Sequence, residues 1–229
     1  MRVKTHHLFY PRIAVSFIAL FFLILIALFF LASLGIIGIA FQKLGFPPEY
    51  SVLLLLLSLI GSYVNIPVKR IESRTRVVSG VAIDFYGFRY IIPPLQVKQS
   101  TIIAINLGGA VIPVIVSVLL IPRANPADVL LGVSVMSILI HMIARPVRGL
   151  GIAVPALLPP LMSAALALML SPQQAPIIAY ISGTLGSLIG ADLLNLKKIP
   201  ELGTPVASIG GAGTFDGIFL TGIISVLLA

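Results

Sequence analysis

Between Ile13 and Phe41 the chain carries no charged side chain, and comparable apolar runs recur to its C-terminus. A run of that length has to be removed from water on every side. A membrane-spanning helix needs roughly 17–25 mostly apolar residues, and runs of that size occur near 13–40, 50–67, 101–121, 127–145, 151–170, 174–194 and 205–228. They are separated by "GFPPEY", "IPRANPAD", "RPVRG", "SPQQAP" and "KKIPELG", clusters of proline, glycine and charge that stop helices. Only 10% of the residues are charged and the mean hydropathy is +1.14, whereas a soluble domain carries about 25% charged residues. The pattern predicts an all-α polytopic membrane protein: one transmembrane domain over residues 1–229, with about seven transmembrane helices. The first run is longer than the roughly 7–15 residues of a signal-peptide core and reads as a retained helix.

The chain has a formal net charge of +8. In a membrane protein such an excess holds loops on the cytoplasmic side and does not call for nucleic acid. With seven spans and the N-terminus inside, every lysine and arginine except Lys43 and Arg123 faces the cytoplasm, and the C-terminus lies outside. Residues 68–100 then form a long basic cytoplasmic loop. Within it, Thr75–Pro94 alternates apolar and polar residues around "FYG", which reads either as a small β-hairpin or as an amphipathic loop on the lipid surface. There is no cysteine, so disulfides and cysteine metal sites are excluded. The three histidines, two of them adjacent at His6 and His7, form no metal constellation, and no cofactor is expected.

Ionisable groups inside a span are costly and face a bundle interior or a wet cavity. Asp192, in "GADLLNLKK", and Asp216, in "GGAGTFDGIFLTG", fall inside the last two spans. Gly210, Gly211, Gly213 and Gly217 make a poor helix interior, since each glycine costs about 1 kcal/mol relative to alanine. The last span is therefore expected to be broken, with its helix resuming near Asp216. Gly183, Gly186 and Gly190 give the sixth span a small-residue face for close packing. Asn106, His141 and Asn195 lie at similar depth, and Arg145 and Arg148 could pair with Asp192 and Asp216. "INLGGAVIPVIVSVLL" from Ile105 is echoed by "SIGGAGTFDGIFLTGIISVLL" from Ser208.

"GAD" at 190–192, "GAGTFDG" at 211–217 and "VPALLPP" at 154–160 resemble elements of the presenilin and signal-peptide-peptidase superfamily. That resemblance implies an intramembrane aspartyl protease, with Asp192 and Asp216 as paired catalytic acids and Pro155, Ala156 and Leu157 as a Pro-Ala-Leu element near the substrate. Thr214 and Phe215 separate Gly213 from the second aspartate, and the Pro-Ala-Leu element precedes both acids; in both respects the chain departs from that superfamily. The chain, above all "GTLGSLIGADLLNL" and "PVASIGGAGTFDGIFLTGI", also resembles an uncharacterised multi-pass family of archaea and bacteria known as a domain of unknown function.

Three functions fit these residues. In the first, Asp192 and Asp216 share a proton and activate water against a transmembrane peptide. Gly211, Gly213, Asn106 and Asn195 then join the Pro-Ala-Leu element in contacting the substrate, and Arg145, Arg148 and His141 serve as charge partners. In the second, a small transporter or channel binds protons or cations at the aspartates. In the third, the polar groups only pack helices in an accessory protein. Membrane lipid is the partner common to all three, and the oligomeric state stays open.

Overall fold

The computed structural model describes residues 12–72, 76–78, 82–85, 88–91, 95–97, 100–147, 151–211 and 217–229. The chain enters through α1 (Arg12–Lys43) and α2 (Pro48–Gly61). It then runs out along β1 (Asn65–Glu72), β2 (Arg76–Val78) and β3 (Ala82–Phe85), and returns along β4 (Phe88–Ile91), β5 (Leu95–Val97) and β6 (Ser100–Asn106). β1 and β6 pair as an antiparallel ribbon, with Asn65 opposite Asn106 and Glu72 opposite Ser100; β2 with β5 and β3 with β4 form two further antiparallel ladders, with Val78 opposite Leu95 and Phe85 opposite Phe88. The register slips between Pro67 and Lys69, where proline has no N–H to give the ladder. Within the segment 75–94 read as a small hairpin or a lipid-surface loop, the described strands β3 and β4 pair antiparallel.

From Asn106 the chain passes through a π-helical turn (Leu107–Val111) into α3 (Ile112–Leu120), and then α4 (Pro126–Ile143). A short ladder follows, with β7 (Arg145–Val147) antiparallel to β8 (Gly151–Ala153). Then come α5 (Leu158–Leu170), α6 (Ala175–Ser187) with a π-helical continuation (Leu188–Leu193), α7 (Ile199–Leu202), β9 (Val206–Ile209) and α8 (Gly217–Leu228). β9 lies parallel to β6, with Ile209 opposite Ile105, in a sheet of order β1-β6-β9. The two echoed sequences are therefore two adjacent strand-to-helix units, β6 into α3 and β9 into α8.

The expectation of a seven-span, all-α protein is overturned. Among the described residues, two helical stretches are long and apolar enough to cross a membrane, Pro126–Ile143 and Pro172–Lys198. α1 is longer, at 32 residues, with its side chains described only in part. The runs read as spans at 50–67, 101–121, 151–170 and 205–228 each divide into a strand and a short helix. The 13 residues of α5 extend only about 20 Å at 1.5 Å per residue, short of a hydrocarbon core of about 30 Å. "TIIAIN" and "VASI" are short apolar runs, in which hydrophobic periodicity cannot separate strand from helix.

The core gathers around α6, which packs against α3, α4, α5 and α8. Ile178, Ala179, Tyr180 and Ile181 are fully buried there, with Phe219, Ile223 and Val226 of α8. Gly186 lets α4 approach, since a Cβ at that position would stand 2.5 Å from Met136 Cβ. At one end of the body, Lys43 Nζ donates to Val226 O at 3.3 Å and Arg123 Nη1 to Leu44 O at 3.0 Å. Both place a cation on helix C-terminal carbonyls, where the macrodipole favours it. The ribbon, Arg145, Lys197 and Lys198 belong to the opposite end, beside the contacts of Asn106, His141 and Asn195.

Candidate functional site

The site is built on the π-helical end of α6. Leu194 N–H reaches back five residues, to Ile189 O at 2.9 Å. The widened turn leaves carbonyls without helical donors, and Asn195 Nδ2 donates to Gly190 O at 3.1 Å and Ala191 O at 2.8 Å. Asn195 is fully buried, so this amide substitutes for missing backbone hydrogen bonds, which buried carbonyls need. His141 Nδ1 lies 3.3 Å from Gly190 O and ties the end of α4 to the same turn. π-turns within α-helices are frequent at functional sites, and this one carries Asp192 on its outer face.

Asp192 meets the turn after β9. Its Oδ2 accepts a hydrogen bond from Gly210 N–H at 2.7 Å. Gly210 and Gly211 have φ of 85° and 97°, a left-handed conformation that costs other L-residues roughly 1–2 kcal/mol each. Gly210 is also in close contact with the neighbouring π-turn, because a Cβ there would stand 2.7 Å from both Cβ and N of Ala110. The glycines thus turn the chain through a tight corner and aim one N–H at the carboxylate.

Asp192 lies in the wall of a cavity of about 550 Å³. Pro155, Ala156, Ser187, Gly211 and Thr221 share that wall, as do all four residues of β9. Successive side chains on a strand point to opposite faces. Four consecutive residues can border one cavity only where the cavity meets the strand's edge. Among the described residues β9 pairs with β6 alone, so its other edge carries backbone donors and acceptors toward this space. Gly211 and Gly217 both line it.

Sequence reasoning missed Ser187. Its hydroxyl is buried in the cavity wall with no hydrogen-bond partner among the described residues. By contrast Ser117, Ser137 and Ser225 each donate to a carbonyl three or four residues back. Ser187 stands five residues before Asp192, a spacing that shares a face only through a π-turn, and nothing local in the sequence announces one.

The other expected site residues are dispersed. Leu157 is 66% exposed and is not in the wall. Asn106 is 1% exposed at the strand-to-helix corner after β6. There it accepts from Gly109 N–H at 2.8 Å and donates to Ser62 O at 2.6 Å; among the described residues its hydrogen bonds reach the cavity wall through Asn65, which also receives the Ser208 hydroxyl. Asn195 and His141 brace the π-turn from behind. Arg145 is exposed on β7 and makes no ion pair with Asp192 among the described residues. Asp216, Gly213 and Arg148 lie outside the described residues. No group of three or more His, Asp or Glu side chains suited to a metal occurs among the described residues.

A family described as "Protein of unknown function (DUF1614)" matches residues 59–228, from the end of α2 to the end of α8. No curated protein and no solved structure matches the chain.

Proposed function

The chain belongs to the DUF1614 family of proteins of unknown function, and we propose that it is a membrane-embedded aspartyl protease whose substrate is an extended peptide segment. The observation that carries this reading is the Asp192 carboxylate in the wall of a cavity bordered by the open edge of β9. An unwound peptide added to that edge gains main-chain hydrogen bonds, and these hold its amide bonds beside Asp192. Asp216, which immediately precedes the wall residue Gly217 in the chain, supplies the second acid. One carboxylate takes a proton from water as the water oxygen attacks the amide carbon. The other gives a proton to the carbonyl oxygen, forming a gem-diol; the first acid then passes its proton to the nitrogen as the C–N bond breaks, a diol hydroxyl returns a proton to the second carboxylate, and the products are an amine and a carboxylic acid. Water is added across the amide, and no cofactor is consumed.

Membrane location rests on the surface as well as on length. Leu130, Ile138 and Met142 of α4, Leu161 and Met169 of α5, and Phe21, Leu23 and Ile26 of α1 are all exposed. On α4, Ile138 and Met142 stand one turn apart, and an exposed apolar helix face of this kind supports contact with lipid. The basic end of the body, which carries the ribbon and the cavity, is assigned to the cytoplasm by the positive-inside tendency. That puts the start of α1 inside and the end of α8 outside.

The test is cleavage of single-span model peptides by the full chain in lipid nanodiscs, followed by mass spectrometry. The wild-type chain cuts, while Asp192→Asn and Asp216→Asn, both folded, do not. Cleavage that survives Asp192→Asn, or proton-coupled solute uptake that Asp192→Asn abolishes without any peptidase activity, overturns the reading.

A further inference from the structure

An unspent cation and an apolar groove meet at the end of the body opposite the cavity. Phe46, Leu54 and Leu57 face Ile112, Ile115 and Leu119 across a groove of about 380 Å³ between α2 and α3. From Ile112 to Leu119 the groove runs roughly 10 Å along α3 at 1.5 Å per residue. Its upper end is Phe46, and the Arg123 guanidinium carbon sits 5.2 Å from that ring's centroid. Nη1 donates to Leu44 O at 3.0 Å and Gly45 O at 3.3 Å. Gly45 leaves room for it, as a Cβ there would come within 3.1 Å of Nη1. Arg123 is exposed, and among the described residues its Nε and Nη2 make no hydrogen bond and it forms no ion pair, Glu49 at the start of α2 included.

We propose that this groove binds one anionic phospholipid, with the phosphate on the free donors of Arg123 and an acyl chain along α2 and α3. The stacked, carbonyl-anchored guanidinium presents a planar fork that matches phosphate oxygens. Its unpaired positive charge at the mouth selects a lipid of net negative charge over a zwitterionic one. The apolar floor begins at the ring under the cation, so headgroup and chain are recognised at adjoining points. The proposal rests on the membrane location given above and is independent of the protease reading.

Native mass spectrometry of the full chain in neutral detergent, titrated with phosphatidylglycerol or phosphatidylcholine of equal chain length, tests it. Wild type should bind phosphatidylglycerol about tenfold more tightly, a difference of about 1.4 kcal/mol. Arg123→Gln should reduce phosphatidylglycerol binding to the phosphatidylcholine level, and Arg123→Lys should fall between. Because Arg123 also braces the end of α1, Ile115→Trp serves as the second variant: Ile115 is half exposed, and the indole fills the groove while leaving Arg123 in place. It should lower binding of both lipids. Equal binding of the two lipids by wild type, or wild-type binding by either Arg123→Gln or Ile115→Trp, overturns the proposal. Recovery of the chain in the soluble fraction would instead remove the membrane reading beneath it.

Discussion

Two corners of this molecule solve one problem in opposite ways. After β6 and after β9 a strand turns into a helix, and in each a glycine N–H is held by a side-chain oxygen. In the first corner the oxygen belongs to Asn106, three residues before the Gly109 it caps. In the second it belongs to Asp192, 18 residues before Gly210 and on a different helix. The first corner is sealed: Ser58 donates to Gly108 O at 2.8 Å, and Asn106 is bound to Ser62 O and Asn65. The second borders a cavity. A neutral amide satisfies a closed corner fully. A carboxylate has acceptor capacity left after one N–H bond, and an open corner exposes that surplus to whatever enters. The difference separates a structural joint from a site.

Substitutions that probe this contrast should rank as follows. Gly108→Ala should be the most damaging, because its Cβ would overlap Ser58 O and Ser62 N and neither backbone can move freely. We expect a loss of about 3 kcal/mol or more, or no folded protein, in thermal unfolding in detergent. Asn106→Asp should cost about 2–3 kcal/mol, since it removes the donor to Ser62 O and Asn65 Oδ1 and sets a charged oxygen against those two acceptors, with Gly109 N–H as the one donor retained. Gly210→Ala should cost about 2 kcal/mol from its left-handed φ and its contact with Ala110. Asp192→Asn, the mirror of Asn106→Asp, should change stability by less than about 1 kcal/mol, because the amide oxygen still accepts from Gly210 N–H. If Asp192→Asn unfolds the chain as readily as Asn106→Asp, the two corners are alike and the second is a joint as well.

Parts of this contrast are legible in the sequence and parts are not. The apolar runs and their breaks locate nearly every helix, because burial dominates the pattern from Ile13 onward. The glycines at 210 and 211 suggest a broken last span, whereas the chain there is a strand followed by a tight turn. The strands at 100–106 and 206–209 escape because parallel pairing joins residues about a hundred positions apart, such as Ile105 and Ile209, and no local pattern records that partnership. Asp192 stands out as a charge in an apolar run. Its setting depends on the π-turn and on Gly210, neither of which a 3.6-residue period anticipates. Leu157 illustrates the limit of a motif, as it shares "PAL" with two wall residues yet faces outward.

The central claim is that water and solutes reach the corner at Asp192 and do not reach the corner at Asn106. The chain contains no cysteine, so single cysteines report without background. Ser187→Cys places a thiol in the cavity wall and Ser58→Cys places one at the sealed corner, both at positions that are buried in the folded protein. Their rates of reaction with a small water-soluble thiol reagent, measured in nanodiscs, decide the matter. The account predicts labelling at 187 at least about tenfold faster than at 58, the population ratio that 1.4 kcal/mol of opening free energy gives. Equal rates, or faster labelling at 58, would contradict it.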